Sequence, residues 1–80
     1  MKASKVEQGN IYADKDSGDV YYCSANRNDN GDTIHIVSSS CELLICHADS
    51  LRPATIREQK DYYKEAYENA LEELDFIQQN

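Results

Sequence analysis

Before Pro53, short apolar stretches alternate with clusters of turn-forming residues along the chain. The apolar stretches are rich in Tyr, Val and Ile, which favour strands, and the clusters lie at residues 14–19, 26–32 and 38–40. The second cluster contains Asn30-Gly31, a pair that readily adopts the positive φ angles of tight hairpin turns. The pattern predicts an antiparallel meander with strands at residues 10–13, 20–25, 33–37 and 42–47. A fifth short strand is expected either around Val6 or after Asp49.

Four or five short strands in about 50 residues are too few to bury two sheet faces separately. We therefore expect them to curl into a small, partly open barrel, or to pack one face against a helix. Alternation along the third strand places Ile34 and Ile36 on one face, with His35 and Val37 on the other. The predicted core consists of Val6, Ile11, Val20, Tyr22, Ile34, Ile36, Leu44, Cys46 and Leu51.

After Pro53, one helical pattern continues to the end of the chain. Thr55 and Glu58 have the spacing of a capping box, and Pro53 keeps the chain before it extended. The helix predicted over residues 55–78 would be roughly 34 Å long, at 1.5 Å per residue. The predicted fold class is α+β, with a small antiparallel β-meander or barrel of four to five strands over residues 6–53, then one long amphipathic C-terminal α-helix. We predict a single domain over residues 1–80.

At 100° per residue, the helix carries an apolar stripe and, on its opposite side, an acidic ridge. The stripe, whose spacing is close to a heptad seam, consists of Ile56, Tyr63, Tyr67, Ala70, Leu74 and Ile77, with Ala66 beside them. We expect it to cap the open side of the barrel; the alternative is that it pairs two copies in a homodimer. The ridge extends roughly 21 Å and consists of Asp61, Glu65, Glu68, Glu72 and Asp75.

The chain is strongly acidic, and much of its charge lies on the helix. Fifteen acidic against eight basic residues give a formal net charge of −7 over 80 residues. This acidity argues against direct binding to nucleic acid, which needs a basic surface, and against adhesion to an anionic membrane. No segment approaches the ~20 apolar residues of a membrane span, and the first ten residues carry no signal-like apolar run. The odd number of cysteines, three, favours a reducing compartment, so we expect a cytoplasmic location.

Candidate catalytic and metal motifs are weak. The acidic residues around Gly18 match part of a calcium loop, but Ala25 stands where that loop needs its last acidic ligand, and a hairpin turn explains the same residues. The cysteines and histidines lack zinc-site spacing, and no Gly-rich phosphate loop is present. We therefore predict no metal, no cofactor and no enzymatic activity.

Four segments together resemble a small SH3-like barrel. They are GNIY at residues 9–12, SGDVYY at 17–22, TIHIV at 33–37 and HADSLRPA at 47–54. The resemblance implies a short helical turn around residues 48–51. The whole chain also resembles small acidic accessory proteins of bacteriophages and prophages. Many of these bind a host protein, and some block nucleic-acid-binding enzymes by presenting carboxylates where phosphates would bind.

The leading hypothesis is a non-enzymatic, phage-type inhibitor that binds a host or defence protein, such as a nuclease or a CRISPR effector, through that protein's basic nucleic-acid surface. Its helix has bases in its first turns and acids in its last turns. This charge order opposes the helix dipole, which suggests that it was selected for a role other than helix stability. The candidate partner-binding residues are Asp61, Glu65, Glu68, Glu72 and Asp75, with Phe76 as an apolar anchor. The alternative is an SH3-like adaptor that binds a protein partner through exposed Tyr12, Tyr21 and the loop at 26–32. A merely solvated acidic face is the simpler explanation of the ridge taken alone.

Overall fold

The computed structural model describes the backbone of residues 3–27 and 33–78, and the side chains of residues 4–26 and 33–74. Within these ranges the chain forms a five-stranded antiparallel sheet followed by one long helix. The elements are β1 (Ile11–Asp14), β2 (Val20–Arg27), β3 (Thr33–Val37), β4 (Leu43–His47), β5 (Leu51–Pro53) and α1 (Ile56–Gln78), with short 3-10 turns at Ala3–Lys5 and Ala48–Ser50.

The strands lie in the order β4-β3-β2-β1-β5, and each neighbouring pair is antiparallel. This confirms the predicted meander, the fifth strand after Asp49 and the helical turn that precedes it. Among the described residues β4 and β5 do not pair with each other, so they remain the two edges of the sheet. The α+β class is confirmed, but the sheet does not close into a barrel.

The main core lies on one face of the sheet, around Cys23, Ile34 and Ile36. The 3-10 turns and β5 cover this face with Val6, Ala48 and Leu51. Predicted core residues that are buried are Val6, Ile11, Ile34, Ile36 and Leu51. Leu44 and Cys46 are half-buried against this core, and Val20 and Tyr22 are only half-buried. Buried residues that the sequence prediction missed are Tyr12, Ala13, Cys23, Ala48 and Tyr62.

The start of α1 confirms the predicted capping box. The Thr55 hydroxyl accepts a hydrogen bond from the Glu58 amide at 3.1 Å, and the Glu58 carboxylate accepts one from the Thr55 amide at 2.9 Å. Both terminal guanidinium nitrogens of Arg52 donate to the same carboxylate, at 2.7 and 2.8 Å. This two-point contact ties β5 to the first turn of α1, and thereby fixes where the helix begins and in which direction it leaves the sheet.

The Glu58 carboxylate also makes folding stability depend on pH. The Arg52 guanidinium, together with the Thr55 amide, lowers the pKa of Glu58 from 4.5 to about 2. Because the folded pKa lies below the unfolded value, this contribution is fully present above about pH 4.5 and is lost as the pH falls towards 2.

We therefore expect Glu58→Gln to lower the free energy of unfolding at pH 7, and to lower it by progressively less between pH 4.5 and 2. Urea unfolding followed by circular dichroism across that range measures the difference between variant and wild type. Glu7→Gln, at an exposed position, serves as the control for a generic loss of one carboxylate. A Glu58→Gln deficit that stays constant down to pH 2 contradicts the proposed role of the pair.

The helix docks on the sheet through Tyr62, which is only 8% exposed. Its hydroxyl donates to the carbonyl oxygens of Val37 at 2.9 Å and Ser38 at 3.4 Å, where β3 ends. Asn69, two turns later, donates to the Ser39 carbonyl at 3.0 Å. Half-buried Gln59 and Ala66 lie on the same side of the helix.

The prediction that the apolar stripe caps the sheet is wrong. Its described large members are exposed: Ile56 by 72%, Tyr63 by 52%, Tyr67 by 66% and Leu74 by 52%. Tyr62 lies about 120° around the helix from the centre of this stripe. The carbonyl oxygens at the end of β3 need a hydrogen-bond donor. The phenol of Tyr62 supplies that donor on an apolar ring, whereas an aliphatic side chain of the stripe has no donor to offer.

Candidate protein-binding surface

An acidic cleft of about 490 Å³ lies where the first turns of α1 meet the β1–β2 and β3–β4 turns. Its lining includes Tyr21, Tyr62 and the serines at 38–40, and none of the described residues that line it is Lys or Arg. The carboxylates that line it are Asp19, Glu42, Glu58, Asp61 and Glu65. Glu58 is neutralised by Arg52, so the other four give the acidic cleft its charge.

The β1–β2 turn holds Asp19 in place through Asp14. The Asp14 carboxylate accepts hydrogen bonds from the amides of Asp16 at 2.8 Å and Ser17 at 2.9 Å, and these amides lower its pKa, that of Ser17 most strongly. Gly18 completes the turn at φ +77°, a conformation that favours glycine. The aspartates that suggested part of a calcium loop therefore build a hairpin turn, which directs Asp19 towards the cleft.

The β3–β4 turn positions Glu42 and binds the helix. The Ser38 hydroxyl accepts a hydrogen bond from the Glu42 amide at 3.1 Å, and the Ser38 amide donates to the Glu42 carbonyl at 3.0 Å. The Ser39 hydroxyl donates to the Glu65 carboxylate at 3.0 Å. The serine-rich turn thus brings its own acid, Glu42, to the same cleft as Glu65 of the helix.

The pKa of Tyr21 is affected by the negative charge in the cleft. Burial raises the pKa of its phenol, and the carboxylates of Asp19, Asp14 and Glu42 raise that pKa further. Negative charges from two separate turns therefore act on one half-buried side chain. The cleft is a region of negative potential that favours a cationic group.

The acidic ridge continues from the cleft along α1. Asp61, Glu68 and Glu72 are exposed, and among the described side chains no base lies within ion-pair distance of them. Asp61 and Glu65 belong to both the cleft and the ridge. We call the combined set the acidic surface, and it consists of Asp19, Glu42, Asp61, Glu65, Glu68 and Glu72.

Some of the binding residues predicted from the sequence lie on the acidic surface, and others do not. Four of the five ridge acids belong to the acidic surface, and the side chains of Asp75 and Phe76 lie outside the described residues. The adaptor hypothesis required an exposed Tyr12, but this residue is 4% exposed and its hydroxyl accepts a hydrogen bond from the Glu7 amide. Tyr21 is half-buried in the cleft, and residues 28–32 of the proposed binding loop lie outside the described ranges.

Sequence reasoning missed Asp19 and Glu42. Asp19 ends the first turn-forming cluster and Glu42 lies two residues after the third, and a meander brings its first and third turns to the same end of the sheet. That property of a meander could have placed Asp19 and Glu42 together from the sequence. Helical periodicity could not, because it relates only the acids of α1 to each other.

Comparisons with protein-family models, with curated proteins and with solved structures give no match. In the described ranges, no three or more His, Cys, Asp or Glu side chains are arranged to hold a metal ion. No helix there is long and apolar enough to cross a membrane. The acidic surface is therefore the feature of the described residues from which we infer a function.

Proposed function

We propose that this protein is a non-enzymatic binding protein whose acidic surface occupies the basic, nucleic-acid-binding surface of another protein. The observation that carries the proposal is that two turns and one helix bring their carboxylates to one side of the molecule, where the cleft has no base among its described lining residues. Surfaces that bind a phosphodiester backbone are lined by Lys and Arg. A continuous row of carboxylates can pair with those bases in place of phosphates.

The dimensions of the acidic surface suit an extended basic groove. From Asp61 to Glu72 the helix advances roughly 16 Å, with an acid at every turn. The cleft extends this row towards the sheet through Asp19 and Glu42. A net charge of −7 would attract a basic partner from a distance and speed association, and screening by salt would weaken both effects.

Occupation of such a groove would exclude nucleic acid from it, so the proposed biochemical role is competitive inhibition. Nucleases and CRISPR-type effectors are the partner class we favour, because their substrates are held by extended basic grooves. The proposed compartment is the cytoplasm. Cys23, Cys41 and Cys46 are all unpaired, which suits reducing conditions.

A capture experiment tests this function. The immobilised protein is exposed to a panel of purified nucleases and DNA-binding proteins at about 0.05 M salt, and retained proteins are eluted with duplex DNA or with about 0.5 M salt. We expect at least one basic-groove protein to be retained, released by both treatments, and inhibited in solution. Retention that neither duplex DNA nor salt reverses contradicts competition for a nucleic-acid groove.

A further inference from the structure

The two edges of the sheet differ in how they are protected against pairing with another strand. Short length, charged side chains, proline and bulges are the features that keep a sheet edge from pairing. The edge strand β5 has three residues and includes Arg52 and Pro53, and Pro53 has no N–H to offer to a neighbouring strand. The other edge strand, β4, has five residues without Lys, Arg, Asp, Glu or Pro, and its register with β3 is unbroken. The β4 edge is therefore open to another strand.

The β4 edge also exposes two large apolar side chains. Leu43 is 77% exposed and Ile45 is 67% exposed. Both lie on the face of the sheet opposite Leu44 and Cys46, which pack against the core. Neither Leu43 nor Ile45 lines the acidic cleft. This face of β4 is therefore separate from the acidic surface.

The backbone groups of β4 that point away from β3 belong to Leu43, Ile45 and His47. The Ser38 amide donates to the Glu42 carbonyl at 3.0 Å, so the backbone groups of Glu42 point towards β3. Successive residues of an antiparallel ladder direct their N–H and C=O groups to opposite sides. The groups of residues 43, 45 and 47 therefore point out of the sheet, where a further strand can bond them.

These outward-pointing residues are placed symmetrically about Ile45, and the symmetry indicates which strand fits. A two-fold axis at Ile45 pairs Ile45 with its own copy and Leu43 with the His47 of the copy, so every outward-pointing residue meets another. The His47 carbonyl already accepts a hydrogen bond from the Ser50 hydroxyl at 2.7 Å, and a carbonyl oxygen can accept two. The same register joins the Leu43 and Ile45 side chains of both copies into one continuous apolar row.

The charge distribution favours the same occupant. A net charge of −7 makes two copies repel each other, and most strongly where acidic surfaces face one another. The paired strands carry no acid, and the two Glu42 residues would lie at opposite ends of the pair, roughly 20 Å apart. A basic partner, in contrast, is attracted to the acidic surface rather than to an uncharged edge.

We propose that a second copy of this chain pairs with the β4 edge, with the two β4 strands antiparallel about a two-fold axis at Ile45. The two five-stranded sheets then form one continuous sheet, and the open edge of each copy is covered by that of the other. The inference does not depend on the proposed function, because the side chains that meet in this pair do not line the cleft.

Sedimentation equilibrium of the full chain between about 1 and 200 μM tests the pairing. We expect the wild type to shift from monomer to dimer within this range. Ile45→Lys should weaken the dimer about tenfold or more, because it places two like charges at the two-fold axis. The matched control is Tyr67→Lys, at a helix side chain that is 66% exposed, and it should leave the dimer unchanged.

Circular dichroism verifies that both variants keep the wild-type fold. A wild type that is still monomeric at about 200 μM overturns the proposal. An effect of Tyr67→Lys equal to that of Ile45→Lys also overturns it, since the edge strand would then have no special part in self-association.

Chemical crosslinking tests the register. In a Cys41→Ser background, which removes the exposed native thiol, Ile45→Cys and Leu43→Cys are each treated with a short thiol-to-thiol crosslinker. The two copies of residue 45 would lie about 5.5 Å apart, whereas the two copies of residue 43 would lie roughly 14 Å apart. We expect Ile45→Cys to form a covalent dimer and Leu43→Cys to remain largely monomeric. Equal crosslinking of the two variants, or none in either, overturns the pairing at Ile45.

Discussion

Replacing Tyr62 by Ala is expected to destabilise the protein by about 3–4 kcal/mol, the cost of removing a large buried aromatic side chain. Tyr62 is the helix residue that is buried against the sheet among the described side chains, and its hydroxyl satisfies the carbonyl oxygens of Val37 and Ser38. Its loss opens a cavity and leaves those acceptors without their donor. A domain of this size has little stability in reserve, so much of the population should unfold or lose the docked helix.

One further variant separates the contribution of the Tyr62 hydroxyl from that of its ring, and a second serves as a control for the loss of a tyrosine from the helix. Tyr62→Phe keeps the ring but removes the donor, and should cost about 1 kcal/mol. Tyr67→Ala makes the same chemical change on the same helix at a side chain that is 66% exposed, and should change stability by about 0.5 kcal/mol or less. Urea unfolding followed by circular dichroism gives the change in the free energy of unfolding for all three variants. A Tyr67→Ala loss as large as that of Tyr62→Ala would mean that the stripe docks on the sheet.

The helix was predictable from the sequence, but the side of it that faces the sheet was not. The capping box of Thr55 and Glu58 is a local pattern, and it forms as predicted. Orientation depends on tertiary partners, namely the Arg52 guanidinium and the open carbonyls at the end of β3. The hydrophobic pattern does not predict that Tyr62 is the residue that faces the sheet, because Tyr62 docks through its hydroxyl donor as well as through its apolar ring.

The acidic surface was predictable only in part, for a related reason. Periodicity relates Asp61, Glu65, Glu68 and Glu72 because they share one helix, whereas Asp19 and Glu42 reach the same place from turns far away in sequence. The antiparallel pairing of β1 with β2, β2 with β3 and β3 with β4 brings those two turns to one end of the sheet. Helical periodicity does not reveal that the first turns of α1 lie beside them, because that depends on the whole fold.

Reversing three acids of the acidic surface is expected to weaken binding to a basic partner by about 100-fold or more, at roughly 1 kcal/mol for each lost charge pair. Asp61→Lys/Glu68→Lys/Glu72→Lys changes exposed side chains that make no ion pair in the described residues, so the fold should persist. The matched control reverses three exposed acids outside the cleft and ridge that make no ion pair in the described residues, namely Glu7, Asp16 and Glu73. Both triple variants have the same net charge, so only the position of the charges differs.

The most direct measurement is a competition titration. A fluorescent duplex DNA is bound to a purified basic-groove nuclease retained in the capture experiment, and its displacement by each variant is followed by anisotropy at two salt concentrations. We expect the wild type and the control triple variant to displace the DNA within about threefold of each other, and the acidic triple variant to need about 100-fold more protein. Equal displacement by the two triple variants would contradict the claim that the acidic surface is the binding site.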